Sequence, residues 1–386
     1  MRIVYYSIPP FADCDFPLIK ALRNSGHEVY YIVRLAPFMC HTTLFDIARM
    51  DGRNSVLPLS AYPELTVWGD YIDVEKSFVS NDAKGRTGIS SFRLYLEEQR
   101  LISSINPDVV HHVGIPFVFH LMMMWKYRRK AVCVVHDPIP HSSDTALRDK
   151  LKRFALSLIP AKFVLLNSQQ RKAFCQRYKI PQSRVWQSSL GPYQEYNAFR
   201  TGKIIPGDYI IFFGRLSPYK GISFAVDAFV KIHESFPDVR MIVAGAGPVC
   251  FDPGPAEDTG AFEFIHRYLT VSEIADYVSQ AKFVVCPYTD ATQSGVIQTA
   301  LGLGTPVVAS DVGNFRDVIT DGGNGLLVPP SDSDALADAY GKLLSDSRLL
   351  ADMRANIAEA CQSEGGDWAR IVQQYEAVYL SKGRYL

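Results

Sequence analysis

The sequence predicts an α/β protein made of two doubly wound domains, and three observations carry that reading. The chain has 386 residues, more than one ordinary core accommodates and enough for two domains of about 190 residues each. Strand-like apolar runs alternate with helix-like amphipathic runs in both halves, the order that builds parallel sheets covered by helices. Between the halves, "SSLGPYQEYNAFRTGKIIPGD" is rich in Gly, Pro and polar residues and reads as a linker. The expected division is a first domain of residues 1–197, a second of residues 198–365 and a final helix within residues 366–386.

The first half reads as strand "RIVYYSI", helix "FPLIKALRNSG" and strand "EVYYIVRL", then a poorly patterned stretch to about Tyr95. Helix "SFRLYLEEQRLISSI", strand "DVVHHVG", helix "FHLMMMWKY", strand "AVCVVHD", helix "ALRDKLKRFALSLI" and strand "KFVLLNS" follow. The second half reads as strand "YIIFFGRL", helix "GISFAVDAFVKIHESF", strands "RMIVAGAG" and "FEFIHRYL", helix "TVSEIADYVSQA" and strand "KFVVCPY". "SGVIQTALGLGTPVVAS" then adds a helix and a strand, and "DWARIVQQYEAVYL" has helical spacing with no strand after it.

Hydrophobic residues make up 47% of the chain and charged residues 21%, the balance of a folded globular protein rather than a disordered one. No apolar run approaches the roughly 20 residues that span a bilayer, and "MRIVYYSIPPF" lacks the order of a secretory signal. The expectation is a cytoplasmic protein. Its seven cysteines are odd in number and scattered, with no Cys-x-x-Cys pair, which favours reduced thiols over disulfides or a zinc site. The formal net charge is zero, yet residues 1–195 carry 25 Lys and Arg against 17 Asp and Glu. The basic half could meet an anionic surface or acceptor.

Chemistry concentrates at the strand ends of the second half. In "FFGRLSPYKGISF", Arg215 and Lys220 flank a turn that leads from strand to helix, where two cations can clamp a diphosphate; exposed loop charges are the competing reading. "VAGAGP" provides glycines for close backbone approach. Ser294, Gly295 and Val296 open a helix whose free amides and dipole favour an anion.

Together these motifs resemble the C-terminal domain of family 4 glycosyltransferases. Gly-Arg-Leu, Lys-Gly, Gly-x-Gly-Pro and Gly-x-Pro-Val-Val are met by Gly214, Arg215, Leu216, Lys220, Gly221, Gly245, Gly247, Pro248, Gly304, Pro306, Val307 and Val308. The resemblance covers nearly all of residues 209–340 and is only topological in the first half. It implies a GT-B fold, two Rossmann-like domains facing each other across a cleft. It also implies sugar transfer from a nucleotide donor, UDP- or GDP-linked, with retention of configuration and with no metal or redox cofactor. The donor would meet Gly214, Gly245, Gly247, His266, Tyr268, Asp290, Ser294, Gly295, Val296 and Thr299, with Arg215 and Lys220 acting on its diphosphate.

The chain departs from that family at two positions. Relatives carry two glutamates seven residues apart, and here those places hold Ala291 and Thr299. Asp290, Gln298 and Thr299 are the polar residues nearest to the lost carboxylates; for Asp290 a turn or capping role competes.

In the first half, His136 and Asp137 end an apolar strand at the active edge of an open sheet. In relatives a histidine at a similar strand end faces the donor sugar, which makes both residues catalytic candidates. His111 and His112 are acceptor-side candidates at the end of the preceding strand. Asp13 and Asp15 precede a helix where many relatives have a glycine-rich loop; capping is the favoured role, and Asp13 would be the first candidate for general base if the enzyme inverted. "ALRDKLKRFALSLI" has an apolar stripe beside Arg148, Lys150, Lys152 and Arg153, and with "MMMWKYRRK" it could lay the basic half on an anionic membrane, at its inner face. A core-facing helix with a solvated face is the competing reading.

The leading expectation is a transferase that moves a sugar to a glycan, polysaccharide or lipid-linked acceptor, with no nucleic-acid partner. A nucleotide-sugar epimerase or phosphorylase of the same fold, or a non-catalytic sugar-nucleotide-binding protein, are the alternatives. Gly191, Pro192, Gly202, Pro206 and Gly207 are the expected hinge positions between the domains.

Overall fold

The computed structural model describes residues 1–84, 89–114, 118–136, 138, 154–155, 157–362 and 367–381. The chain forms two compact units, one of Met1–Leu190 with Trp368–Leu386 and the other of Gly191–Asp367.

Among the described residues the first unit holds an eight-stranded sheet in the order β3-β4-β2-β1-β5-β6-β7-β8. Its strands are β1 (Arg2–Ser7), β2 (Glu28–Leu35), β3 (Ser55–Pro58), β4 (Ser77–Asn81), β5 (Val109–Val113), β6 (Ala131–Val135), β7 (Lys162–Leu165) and β8 (Val185–Gln187). All pair in parallel except β3, which closes the edge antiparallel to β4. The central strands are apolar on both faces because helices cover both, so Ile3, Val4, Tyr5 and Tyr6 are all buried. Helices α1 (Ala12–Asn24), α2 (Ile89–Ile105), α3 (Val118–Lys126) and α4 (Arg171–Tyr178) supply cover.

Strands β3, β4 and β8 escape the sequence reading. β4 is "SFVSN", and its buried Ser80 and Asn81 bond to distant partners: Ser80 donates to Glu98, and Asn81 Nδ2 to the carbonyls of Asp51 and Arg53. Hydropathy cannot announce a strand whose polar residues are paid for by tertiary hydrogen bonds.

The second unit holds β9 (Asp208–Phe213), β10 (Val239–Ala244), β11 (Phe262–Ile265), β12 (Val284–Cys286), β13 (Val307–Ser310) and β14 (Gly325–Val328) in the order β11-β10-β9-β12-β13-β14, all parallel. Counted from β9 this is the 3-2-1-4-5-6 order of a Rossmann sheet, whose ligand crevice opens where the order reverses, between β9 and β12. Around it pack α5 (Ile222–His233), α6 (Val271–Gln280), α7 (Gly295–Gly302), α8 (Ser333–Ser345) and α9 (Ser347–Gln362). A capping box starts α6: Thr270 Oγ1 accepts from Glu273 N–H at 3.2 Å and Glu273 Oε2 accepts from Thr270 N–H at 2.9 Å.

The predicted linker takes a different form. Residues from 191 onward belong to the second unit, and they are bound down onto it. Tyr193 N–H donates to Gln298 O at 3.0 Å, Asn197 Nδ2 to Gly302 O at 2.8 Å and Thr201 N–H to Asp276 Oδ1 at 3.0 Å. A side chain on Gly302 would reach 2.2 Å from Tyr193 O, so the segment lies flush on α7. Gly202 and Gly207 serve as turn formers with φ of 78° and 72°. The composition thus reports tight surface turns, and the unit boundary falls at 190 rather than 197.

The last helix, α10 (Asp367–Leu380), packs within the first unit. Buried Lys162 caps its C-terminus, Nζ donating to Val378 O at 2.7 Å and Tyr379 O at 3.1 Å, where the helix dipole favours a cation. Tyr379 Oη lies 2.6 Å from His111 Nδ1, and Glu376 pairs with His27 at 2.7 Å.

Candidate functional site

Three loops at the carboxyl ends of β9, β10 and β12 converge in the second unit. Gly214 N–H donates to Ala244 O at 2.9 Å and Leu216 N–H to Ala246 O at 2.8 Å, which locks the first loop to the second. Only a glycine fits at 245, because a Cβ there would stand 1.9 Å from Gly214 O. The first loop also meets the third: Thr289 N–H donates to Tyr219 O at 2.8 Å, and Gly221, at φ 62°, leaves no room for a Cβ beside Pro287 O. A Cβ on Gly214 would lie 3.4 Å from Val296 Cγ2, so this loop borders the start of α7. There the amides of Gly295 and Val296 have no acceptor within their own helix.

Arg215 and Lys220 come together on this frame. Arg215 is exposed, its Nη2 3.3 Å from Tyr219 Oη. Lys220 is half-buried, its ammonium 3.7 Å from the centre of the Tyr288 ring. Burial pushes the Lys220 pKa down to about 7, and nearby Arg215 adds to the shift. A poorly solvated ammonium beside a guanidinium has much to gain from an anion. Tyr288, whose hydroxyl lies 3.2 Å from Ser294 Oγ, was not singled out in the sequence; an aromatic directly after the strand at the crevice was the available signal.

The other donor-side candidates sit around this point with different environments. His266 is exposed, its Nε2 2.9 Å from Gly247 O and its ring stacked on Phe264; Tyr268 and Asp290 are exposed. Thr299 is buried and its hydroxyl donates to Gly295 O at 2.9 Å. Ala291 is buried, with its carbonyl packed against Gly313. Gln298 is buried as well.

In the first unit, His136 ends β6 and is nearly buried. Its ring stacks on Phe11 at 4.2 Å and its Nε2 lies 3.9 Å from Cys14 Sγ. Burial lowers its pKa to about 4, so the imidazole is neutral near pH 7. Phe11 also fills the space over Gly114, where a Cβ would come within 2.7 Å of its ring. Asp137, and the basic residues Arg148, Lys150, Lys152 and Arg153, lie outside the described residues.

His111 and His112 do not line an open edge. They alternate across β5 and are buried on opposite faces: His111 stacks on Tyr5 at 4.2 Å, and His112 on Tyr6 at 5.3 Å. Neither Asp13 nor Asp15 occupies the N-cap of α1. Phe11 occupies the N-cap of α1 with no side-chain cap bond, and Asp15 is fully buried, accepting from Tyr5 Oη at 2.8 Å. Burial raises the Asp15 pKa well above the carboxylate range.

Sequence reasoning missed a buried charge network in this unit. Arg34 Nη2 donates to Asp82 Oδ2 at 2.6 Å, and its Nη1 lies 3.1 Å from His120 Nε2 and 3.8 Å from Glu98 Oε1. Tyr6 Oη donates to Glu98 Oε1 at 2.8 Å. Burial opposes the charge on Glu98, and His120, Arg34 and Ser80 more than offset it, holding the carboxyl down to about 2. Burial also lowers the pKa of His120, so Arg34 carries the compensating positive charge.

The whole chain has the GT-B architecture of solved two-domain nucleotide-sugar proteins. It superposes on sucrose-phosphate synthase from Thermosynechococcus elongatus with a TM-score of 0.62 at 18% identity, covering 98% of each chain. HepE of Anabaena, solved in complex with UDP-glucose, gives 0.65 at 16% identity over 98% of this chain and 99% of that one. At the level of family, residues 207–346 match Glycosyl transferases group 1. The family 4 resemblance seen in the motifs therefore stands, and the matched segment contains the whole three-loop site. A phosphatidyl-myo-inositol mannosyltransferase of Mycobacterium leprae is 34% identical over 177 residues, which is 45% of this chain and 46% of that protein. The chain thus spans about half the length of the curated relatives it matches.

Proposed function

We propose that the protein is a glycosyltransferase that moves a sugar from a UDP- or GDP-linked donor to a glycan, polysaccharide or lipid-linked acceptor, with retention of configuration and without a metal. The observation that carries this reading is the pairing of Arg215 and Lys220 at the β9/β12 crevice, on loops whose glycines let them close against one another beside the start of α7. The donor diphosphate would lie against both cations and the first amides of α7. As the bond from the anomeric carbon to the phosphate oxygen breaks, charge grows on that phosphate, and the two cations stabilise it. The acceptor oxygen bonds to the same face of the sugar, and its proton passes to the departing diphosphate. The neutral imidazole of His136 suits a hydrogen bond to a sugar hydroxyl better than a pairing with phosphate.

Arg215 is exposed, so Arg215→Ala should keep the wild-type melting temperature. Its donor turnover should fall about 10²–10³-fold. Near-normal turnover in that variant would remove the clamp from the mechanism.

A further inference from the structure

The helices on one face of the first unit's sheet expose an unusual amount of apolar surface. Ile89, Phe92 and Leu96 on α2 and Met122 and Trp125 on α3 are between 39% and 77% exposed. The two helices lie side by side and run the same way. Phe92 meets Phe119 at 5.6 Å near their starts, and Lys126 Nζ reaches Ser103 Oγ at 3.1 Å near their ends. Patches of this kind on a folded protein mark an interaction surface.

The charges around the band have one sign. Arg93 and Arg100 lie on α2, Lys126 on α3, and Arg128, Arg129 and Lys130 in the turn that follows. Arg128 lies over the Trp125 ring at 5.6 Å. The two acids on these helices are directed into the protein: Glu98 joins the buried network, and Glu97 accepts from Val56 N–H at 3.1 Å. Pairing this face with its own copy would set cation against cation, since a two-fold interface brings the same patch together.

We propose that the outer face of α2 and α3 docks on an anionic lipid bilayer. Trp125, Met122 and Phe92 enter the headgroup boundary and the flanking Arg and Lys side chains meet lipid phosphates. This rests on the reading of a lipid-linked acceptor and names the surface that would bring the chain to it.

Flotation of the full chain with vesicles tests the proposal. Vesicles of phosphatidylcholine and phosphatidylglycerol in equal parts should carry the protein up, vesicles of phosphatidylcholine alone should not, and about 1 M salt should release it. Lys126→Glu combined with Arg129→Glu should weaken binding at least ~20-fold, and Trp125→Ala should weaken it several-fold, both with wild-type melting temperature and donor turnover. Absent binding to the anionic vesicles, equal binding to neutral ones, or wild-type binding by both variants would overturn the proposal. So would light scattering that shows a dimer which Trp125→Ala dissociates. Vesicle binding without donor turnover would sink the transferase reading and leave the docking face intact; turnover without vesicle binding would do the reverse.

Discussion

The carboxyl edges of the two sheets obey the same topological rule and are furnished in opposite ways. In the second unit the edge is built of backbone: glycines at 214, 221 and 245 let three loops touch, and two cations stand over them with an aromatic beneath. In the first unit side chains fill the corresponding space. Phe11 covers Gly114 and His136, while Tyr5, His111, Asp15 and Tyr379 pack below it, and Arg34, Asp82, Glu98 and His120 form a buried cluster on the other face. An edge made of backbone, with an exposed guanidinium and a desolvated ammonium, suits the diphosphate proposed for it. One made of interlocked side chains holds its groups in place, and His136 is buried among them.

That contrast predicts where each unit is vulnerable. The largest effect on stability should come from Arg34→Met, which leaves Asp82 and Glu98 buried without their counter-charge; the cost is about 3–5 kcal/mol. Calorimetry should show the loss in a transition belonging to the first unit, with nucleotide binding by the second unit retained at low temperature. Loss of stability below about 1 kcal/mol would mean that the cluster is not the strut described here.

A second test concerns pH and the second unit alone. The Lys220 pKa of about 7 is depressed from 10.5 by burial, and a bound diphosphate favours the charged form and raises it. Below about pH 7 the ammonium already exists, so donor affinity should be flat there; above it, binding must take up a proton and affinity should fall by up to about tenfold per pH unit. Lys220→Arg should flatten the profile, because a guanidinium stays charged throughout this range. Titration calorimetry in buffers of different ionisation enthalpy would show the proton uptake directly, and its absence at about pH 8 would contradict the desolvated lysine.

The smallest expected effect probes the filled edge. Tyr379→Phe removes the hydroxyl that lies 2.6 Å from His111 and should cost about 1 kcal/mol, leaving donor affinity unchanged. A change in donor affinity larger than about twofold would show that the fit of α10 influences the donor site.

Much of the frame of the candidate site was legible in advance because it depends on local rules. A strand followed by Gly-Arg, a helix opened by Ser-Gly and a glycine pair after the next strand each occupy a few consecutive residues, and their chemistry follows from the turn they make. The site's completion was not local. Lys220 and Tyr288 stand 68 positions apart, and nothing near either residue predicts that the ring lies under the ammonium. In the first unit the same limit is severe: Arg34, Asp82, Glu98 and His120 come from four separate elements or loops, and each alone looks like an ordinary surface polar residue. His111 and His112 show the cost of reading by position, since strand alternation sends them to opposite buried faces.

The sequence by itself determined the α/β alternation, the two Rossmann-like units and the place of the glycine-rich turns at the carboxyl edge of the second sheet, because periodicity and turn chemistry act over a few residues and tolerate any surroundings. Tertiary structure alone decided which polar residues are buried, that residues 191–205 are fastened to the second unit instead of swinging free, and that Lys162 would cap a helix more than 200 positions away, with Nζ bonded to Val378 and Tyr379. Those outcomes depend on desolvation and on partners distant in the chain, and both exist only once the sheets have formed.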